Sequence, residues 1–336
     1  MSATTTGEIR QDLLTGRWVI YAPGRADRPN EMEQDRSDTA LLPEKDASCP
    51  FCMGNEHMLP TILFEQPVHG QDLWRTRVVT NKYPVFCDST DVTGTNRGLY
   101  RVTSNFGRHE VVVETPFHNR DLPFMELDEV EAVIETYSRR SGALHAEEQV
   151  EAVTIFRNHG SRAGTSLRHP HSQIVATGLV PEHVARREKI AAAYFARNKS
   201  CALCDVIDFE RAECVRSVHE NDSFLSFVPF AAQAPCEVWI APKRHSADFG
   251  LITGVEVKDL AMALKDALQR LHDHLNDPDY NYVIHSCSKQ NSFVPHLHWY
   301  LQIRPRLTTP AGFELGSDMP INDSLPERDA EMLRQV

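Results

Sequence analysis

The chain has 336 residues, of which 41% are hydrophobic and 24% charged, and a net charge of −12 at pH 7. That length predicts two domains or one duplicated unit, and the acidic balance argues against non-specific binding to nucleic acid. No run approaches the ~18 apolar residues of a membrane span, and the polar stretch Met1 to Arg10 has no signal-peptide core, so a cytoplasmic protein is expected.

Taken in order, Glu8-Ile9-Arg10 and Trp18-Val19-Ile20-Tyr21-Ala22 read as a strand pair with a turn at Thr15-Gly16. Arg25 and Arg28 follow in a polar loop, either a solvated turn or a phosphate clamp, because the arginine fork matches phosphate oxygens. Residues 30–48 are polar and acidic and read as an irregular arm. Cys49-Pro50-Phe51-Cys52 then forms a tight knuckle. Strands are predicted over 60–66, 74–80, 99–102 and 109–114, with Asn81 in a turn after the second and His118 just past the last. Apolar recurrence at Val130, Val133, Ile134, Tyr137 and Leu144 predicts a helix over 127–148, with Asp128 as its N-cap. A strand over 150–158 leads through a turn, His159 to Ser166, into a strand at 169–176. A basic helix over 184–198 precedes Cys201-Ala202-Leu203-Cys204. Strands near 223–229 and 236–241, a helix over 256–275, and strands over 280–287 and 296–303 follow. The tail ends in a short helix near Glu327 to Arg334.

Self-similarity organises these elements. Glu110-Val111-Val112-Val113 through His118 matches Glu237-Val238-Trp239-Ile240 through His245 at an offset of 127 residues. The same offset carries His169 onto His296 and His171 onto His298. Each half thus holds a Cys-x-x-Cys, strands, a lone histidine, a helix and a His-x-His. The predicted fold is α+β: duplicated units, each an antiparallel sheet with a covering helix, divided as 1–180 and 181–336.

The chain has eight cysteines. Cys87, Cys214, Cys236 and Cys287 are scattered and read as small buried side chains. The Cys-x-x-Cys pairs invite metal ligation or redox chemistry, and neither lies in the βαβ setting of a redox motif. With two histidines each they complete tetrahedral Cys₂His₂ sets. The expected sets are Cys49, Cys52, His118 and His169 in the first half, and Cys201, Cys204, His245 and His296 in the second. Closed sets of this kind are structural.

His171 is then left free. With His169 locked on a metal, a nearby fixed carbonyl can take the proton of one His171 ring nitrogen and leave the other as a lone pair. Such an imidazole is a nucleophile toward phosphorus. Ser166, Gln173 and the turn through Gly164 and Thr165 supply polar groups and backbone N–H donors of the kind an α-phosphate needs. The second copy has Trp299 and Tyr300 after its His-x-His and is expected to be catalytically silent.

The segment Asn158-His159-Gly160-x-x-Ala163-Gly164-Thr165-Ser166-x-x-His169-Pro170-His171-Ser172-Gln173 resembles the active-site signature of the galactose-1-phosphate uridylyltransferase family, a branch of the histidine-triad superfamily. The resemblance spans nearly the whole chain, from Arg25 and Arg28 to Gly312-Phe313-Glu314-Leu315. It implies double displacement: His171 attacks the α-phosphorus of UDP-glucose, glucose 1-phosphate leaves, and galactose 1-phosphate collects the uridylyl group. It also implies that Gln173 and Ser166 bind phosphate oxygens, that Arg25, Arg28 and Asn158 contact nucleotide or sugar phosphate, and that Asn81 lies near base and ribose. Two structural zinc ions, with iron an alternative in the second site, and a homodimer are implied as well. The Cys201/Cys204 pair is similar to a branch that includes adenylyl-transferring relatives such as ADP-glucose phosphorylase. Asp318 to Asn322 lacks the glutamine of galactose-specific members, which opens the alternative of ADP-sugar phosphorolysis. A zinc-stabilised nucleotide-binding module without turnover is a third reading, against which the His171/Gln173 pair argues.

Overall fold

The computed structural model describes residues 7–25, 42–68, 70–71, 73–88 and 94–335. Arg28 and most of the polar arm predicted over 30–48 lie outside the described residues. Strands β1 (Glu8–Gln11) and β2 (Trp18–Tyr21) pair antiparallel around the predicted turn, where Gly16 takes φ +67°. The first half continues with β3 (Ile62–Pro67), β4 (Trp74–Thr80), the hairpin β5 (Thr95–Arg97) and β6 (Tyr100–Val102), β7 (Gly107–Val113), helix α1 (Leu127–His145), β8 (Ala152–His159), β9 (His171–Thr177) and α2 (Glu182–Asn198). Helix α1 starts one residue before the predicted cap. Glu126 takes that position, and its backbone N–H donates to the Glu129 carboxylate at 2.8 Å.

The second half holds α3 (Ala202–Glu213), β10 (Ser217–Glu220), β11 (Phe224–Phe227), β12 (Val238–Pro242), α4 (Gly254–Leu275), β13 (Tyr280–His285) and β14 (Tyr300–Pro305). The tail adds α5 (Gly312–Ser317), β15 (Ile321–Asn322) parallel to β2, and α6 (Pro326–Arg334). Helix α3 and strand β10 were not predicted: the Cys-x-x-Cys reads as a turn, whereas Cys201 is the residue that precedes the first turn of α3.

One ten-stranded sheet runs through both halves in the order β10-β11-β12-β14-β13-β8-β9-β7-β4-β3. The order is symmetric about the β13–β8 junction, so each strand of one half has a counterpart in the other. The junction is antiparallel, with Asn281 opposite Asn158. The chain is therefore α+β and duplicated, as predicted.

Alternation along the strands separates the two faces. Val112 faces the helices, within a core that includes Ile134 and Tyr137 of α1 and Leu264 and Leu268 of α4. Val111 and Val113 face the other way, against Phe51 and the first cysteine pair. In the second half, Phe227, Trp239 and Tyr300 pack likewise against Cys201, Leu203 and Ile207. Both cysteine pairs thus cap the sheet face opposite α1 and α4. Of the scattered cysteines, Cys236 and Cys287 are buried, while Cys87 and Cys214 are exposed. Cys87 lies in a loop, and Cys214 ends α3 in the left-handed conformation, so these two departed from the expected core positions because neither sits on a packed element.

Candidate active site and two candidate metal centres

Cys49, Cys52, His118 and His169 converge, all four buried, with one donor atom from each within 4.8 Å of every other. His169 Nδ1 lies 3.7 Å from Cys49 Sγ and 3.6 Å from Cys52 Sγ, and His118 Nδ1 lies 3.5 Å from Cys52 Sγ. Bond lengths of ~2.3 Å to sulfur and ~2.0 Å to nitrogen place tetrahedral donors about 3.5 Å apart, so the spacing fits a metal ion. His169 Nε2 donates to the Thr115 carbonyl at 2.8 Å, which leaves Nδ1 as the lone pair aimed at the cysteines. Burial pushes the His169 pKa down to about 4, keeping the ring neutral, and pushes the Cys49 thiol up to about 11, so that thiol ionises only beside a cation.

The second group is Cys201, Cys204, His245 and His298. This corrects the predicted ligand: His296 is not in the cluster but beside Phe195, with ring centroids 6.1 Å apart. His298 Nδ1 lies 3.9 Å from Cys201 Sγ and 3.4 Å from Cys204 Sγ, and its Nε2 donates to the Pro242 carbonyl at 3.0 Å. Thr115 and Pro242 keep the 127-residue offset, but His169 and His298 are 129 apart. His169 stands two residues before β9, and His298 two before β14. Two additional residues therefore separate the lone histidine from the strand in the second half. The counterpart of His171 is Tyr300, and that of Gln173 is Gln302.

His171 opens β9 on the face opposite α1 and α4 and is 8% exposed. Its Nδ1 donates to the carbonyl of His169 at 2.8 Å, so Nε2 carries the lone pair. Burial, helped by the Arg157 charge and opposed by the hydrogen bond to His169, leaves its pKa below the usual imidazole value, so the ring is neutral at pH 7. The Phe51 ring lies against it, with centroids 5.3 Å apart, and this phenylalanine is held between the two cysteines of the first knuckle.

Gln173 projects from the same face two residues on. His109 was absent from the sequence-based set, but its Nε2 donates to Gln173 Oε1 at 2.7 Å. The tautomer is fixed by the Val85 N–H, which donates to His109 Nδ1 at 3.3 Å. With Oε1 occupied, the Gln173 amino group is free to donate to a ligand. The Asn81 backbone N–H donates to the His109 carbonyl at 2.8 Å, so Asn81 joins the site through His109. The available signal was periodicity: His109, Val111 and Val113 share the face that pairs with His171 and Gln173.

The turn after β8 forms the neighbouring wall. Gly160 and Gly164 take φ +83° and +89°, the left-handed region glycine favours. Thr165 Oγ1 donates to the Asn158 carbonyl. The second half holds this turn: the Arg162 N–H donates to Asp279 at 2.6 Å, and Asn281 Nδ2 donates to Asn158 Oδ1 at 2.7 Å and to the Ala163 carbonyl at 2.9 Å. Ser166 is exposed and Arg25 is exposed. Neither makes a side-chain hydrogen bond among the described residues, and no contact brings Arg25 to His171.

Beneath β9, on the helix side, the buried Arg157 donates to Glu114 at 2.9 Å and to Asp121. Ser172 accepts from the Tyr137 hydroxyl at 2.6 Å. Asp121 also pairs with His159 at 3.0 Å. These ions fix the strands on either side of His171 from below.

Known proteins resemble this chain in sequence and fold. Residues 2–181 match the family described as galactose-1-phosphate uridyl transferase, N-terminal domain, and residues 187–336 match its C-terminal domain. The chain is 36% identical over 338 residues to an ADP-glucose phosphorylase of Arabidopsis thaliana, spanning 98% of this chain and 93% of that protein. It is 30% identical over 342 residues to a galactose-1-phosphate uridylyltransferase of Thermotoga maritima, spanning 98% of each. The crystal structure of the Arabidopsis ADP-glucose phosphorylase with bound ADP-glucose superposes with a TM-score of 0.86 at 34% identity, covering 98% of this chain and 99% of that one.

Proposed function

The chain belongs to the galactose-1-phosphate uridyl transferase family, and from that premise we propose that it transfers a nucleoside monophosphate through a covalent nucleotidyl-His171. The observation that carries this reading is the hydrogen bond from His171 Nδ1 to the His169 carbonyl, which presents Nε2 as a lone pair. In the first step, Nε2 forms a bond to the α-phosphorus of a nucleotide sugar. The bond from that phosphorus to the bridging oxygen breaks, and a sugar 1-phosphate leaves with the electron pair. In the second step an acceptor phosphate oxygen attacks the same phosphorus, and Nε2 recovers its pair. No net proton is consumed. Gln173 Nε2 stabilises the charge that builds on the non-bridging oxygens.

ADP-glucose, with inorganic phosphate as acceptor, is the preferred substrate pair. The 36% relative bearing that activity in its name supports it, as does the absence of glutamine over 318–322. Transfer of uridylyl from UDP-glucose to galactose 1-phosphate is the second reading, favoured by the 30% relative. Residues 1–180 form the catalytic half. Residues 181–336 form a silent half, because Tyr300 stands at the position of His171. Both Cys₂His₂ sets hold zinc, which would tie the knuckles to the sheet and thereby fix the His169 backbone. The protein works as a homodimer in the cytoplasm.

The test is incubation with ADP-glucose or UDP-glucose labelled at the α-phosphate. Label should enter the protein, survive base, be lost in acid, and be discharged by the acceptor. No label from either donor, with activity persisting in His171→Gly, overturns the proposal.

A further inference from the structure

Beyond the residues already placed around His171, Arg306 of the second half lies beside Asn281 without a counter-charge among the described residues. Arg304 stands directly opposite Asn281 in the sheet, and Asn281 opposite Asn158. Arg306, two residues on, directs its Nε to Asn281 Oδ1. Among the described residues its terminal amino groups make no hydrogen bond and no carboxylate lies within ion-pair distance of it, whereas Arg304 donates to Gln233 at 3.4 Å and its charge acts on the buried Glu237. Burial and the Arg304 charge both lower the Arg306 pKa, as expected of a cation that lacks an anion. The strands of Asn281 and His171 are two spacings apart, about 10 Å. That separation matches a group bonded beyond the α-phosphorus rather than the α-phosphate itself.

We propose that Arg306, oriented by Asn281, binds the phosphate that leaves in the first step and attacks in the second. This rests on the transfer reading above. In both steps His171 Nε2 occupies one apex of an in-line displacement, so the departing and arriving phosphates share the opposite apex. One anion subsite therefore serves both, and it requires a cation not already neutralised by the protein. The guanidinium fork suits a phosphate dianion. Its single bond to Asn281 sets its plane and leaves the fork open. The bound class is a phosphate or phosphate monoester, not the nucleoside.

The experiment compares Arg306→Ala, Arg306→Lys and Asn281→Ala with the wild type. The expected result is a KM for the acceptor phosphate raised about 10- to 100-fold in Arg306→Ala, the loss expected for one charge-assisted contact. Affinity for the nucleoside monophosphate should stay within twofold, and added guanidinium ion should restore part of the acceptor affinity. Asn281→Ala should show a smaller rise in the same KM. An acceptor KM within twofold of wild type in a folded Arg306→Ala, or an equal loss of nucleotide affinity, overturns the inference. If Arg306→Ala melts below the assay temperature, Arg306→Lys carries the test on the same two readouts. A wild type that takes no label from either donor sinks the transfer reading. A labelled wild type with unaltered Arg306 variants sinks this inference alone.

Discussion

His171 donates its Nδ1 proton to the main-chain carbonyl of His169 at 2.8 Å, so a buried candidate metal ligand orients the candidate nucleophile two residues away. The consequence is that metal site, backbone and lone pair form one mechanical unit. The Phe51 ring, carried between Cys49 and Cys52, packs on the same imidazole and adds a second route from knuckle to nucleophile.

Removing the first metal site should therefore cost activity as well as stability. Cys52→Ser is expected to lower the melting temperature and bound metal together, and kcat with them. Metal analysis and differential scanning on the purified variant check this. A variant that loses one metal equivalent yet keeps full kcat would break the proposed coupling.

The second site gives a sharper contrast. His298→Ala should release one metal ion per chain, whereas His296→Ala should retain it, because only His298 joins Cys201, Cys204 and His245. Zinc content after exhaustive dialysis decides between the two histidines.

His109 acts on substrate only through Gln173. Gln173→Ala is expected to lower kcat by about 10²- to 10³-fold, the usual loss for one transition-state donor. His109→Ala should lower it less, since the Gln173 amide then loses orientation but not its donor. Single-turnover measurement of protein labelling reads both, and equal losses would remove the distinction between donor and positioner.

Stability should depend on pH through His159. Burial disfavours its imidazolium, but Asp121 and Asp277 outweigh that and push its pKa up to about 9. A raised folded-state pKa stabilises most below the unfolded value near 6.5 and loses that contribution as pH rises through about 9. The effect is on the order of 1–3 kcal/mol at most, given the partial solvent access of the ring. Denaturant titrations from pH 6 to 10 should show the decline in the wild type and a flatter profile in His159→Gln.

Arg157→Met strands the Glu114 carboxylate, buried with its partner on the helix side. Breaking a buried ion pair costs about 3–5 kcal/mol, and urea unfolding should register a loss of that order. Adding Glu114→Gln should recover part of it, because the orphaned charge is then gone.

Much of this protein was readable from local chemistry. The knuckles, the β-branched strands, the duplication and the cluster from Asn158 to Gln173 lie in short contiguous stretches, where residue type and spacing state their own purpose. The structure then altered what depends on register and on pairing. A slip of two residues leaves a strand's faces unchanged, so the 127-residue offset pointed to His296 although His298 meets the same alternation. Only convergence in space with Cys201, Cys204 and His245 separated them, and it placed Tyr300 where the first half has His171. The antiparallel junction of β8 with β13 likewise brings Asn281, Arg304 and Arg306 beside Asn158, more than 120 residues away in sequence. Main-chain hydrogen bonds make that junction and are the same for nearly every residue, so no local signal announces which strands will lie beside the site. The sequence by itself determined the chemical groups and the duplicated scaffold. Tertiary structure decided which histidine closes the second cluster and which half supplies the far wall of the site.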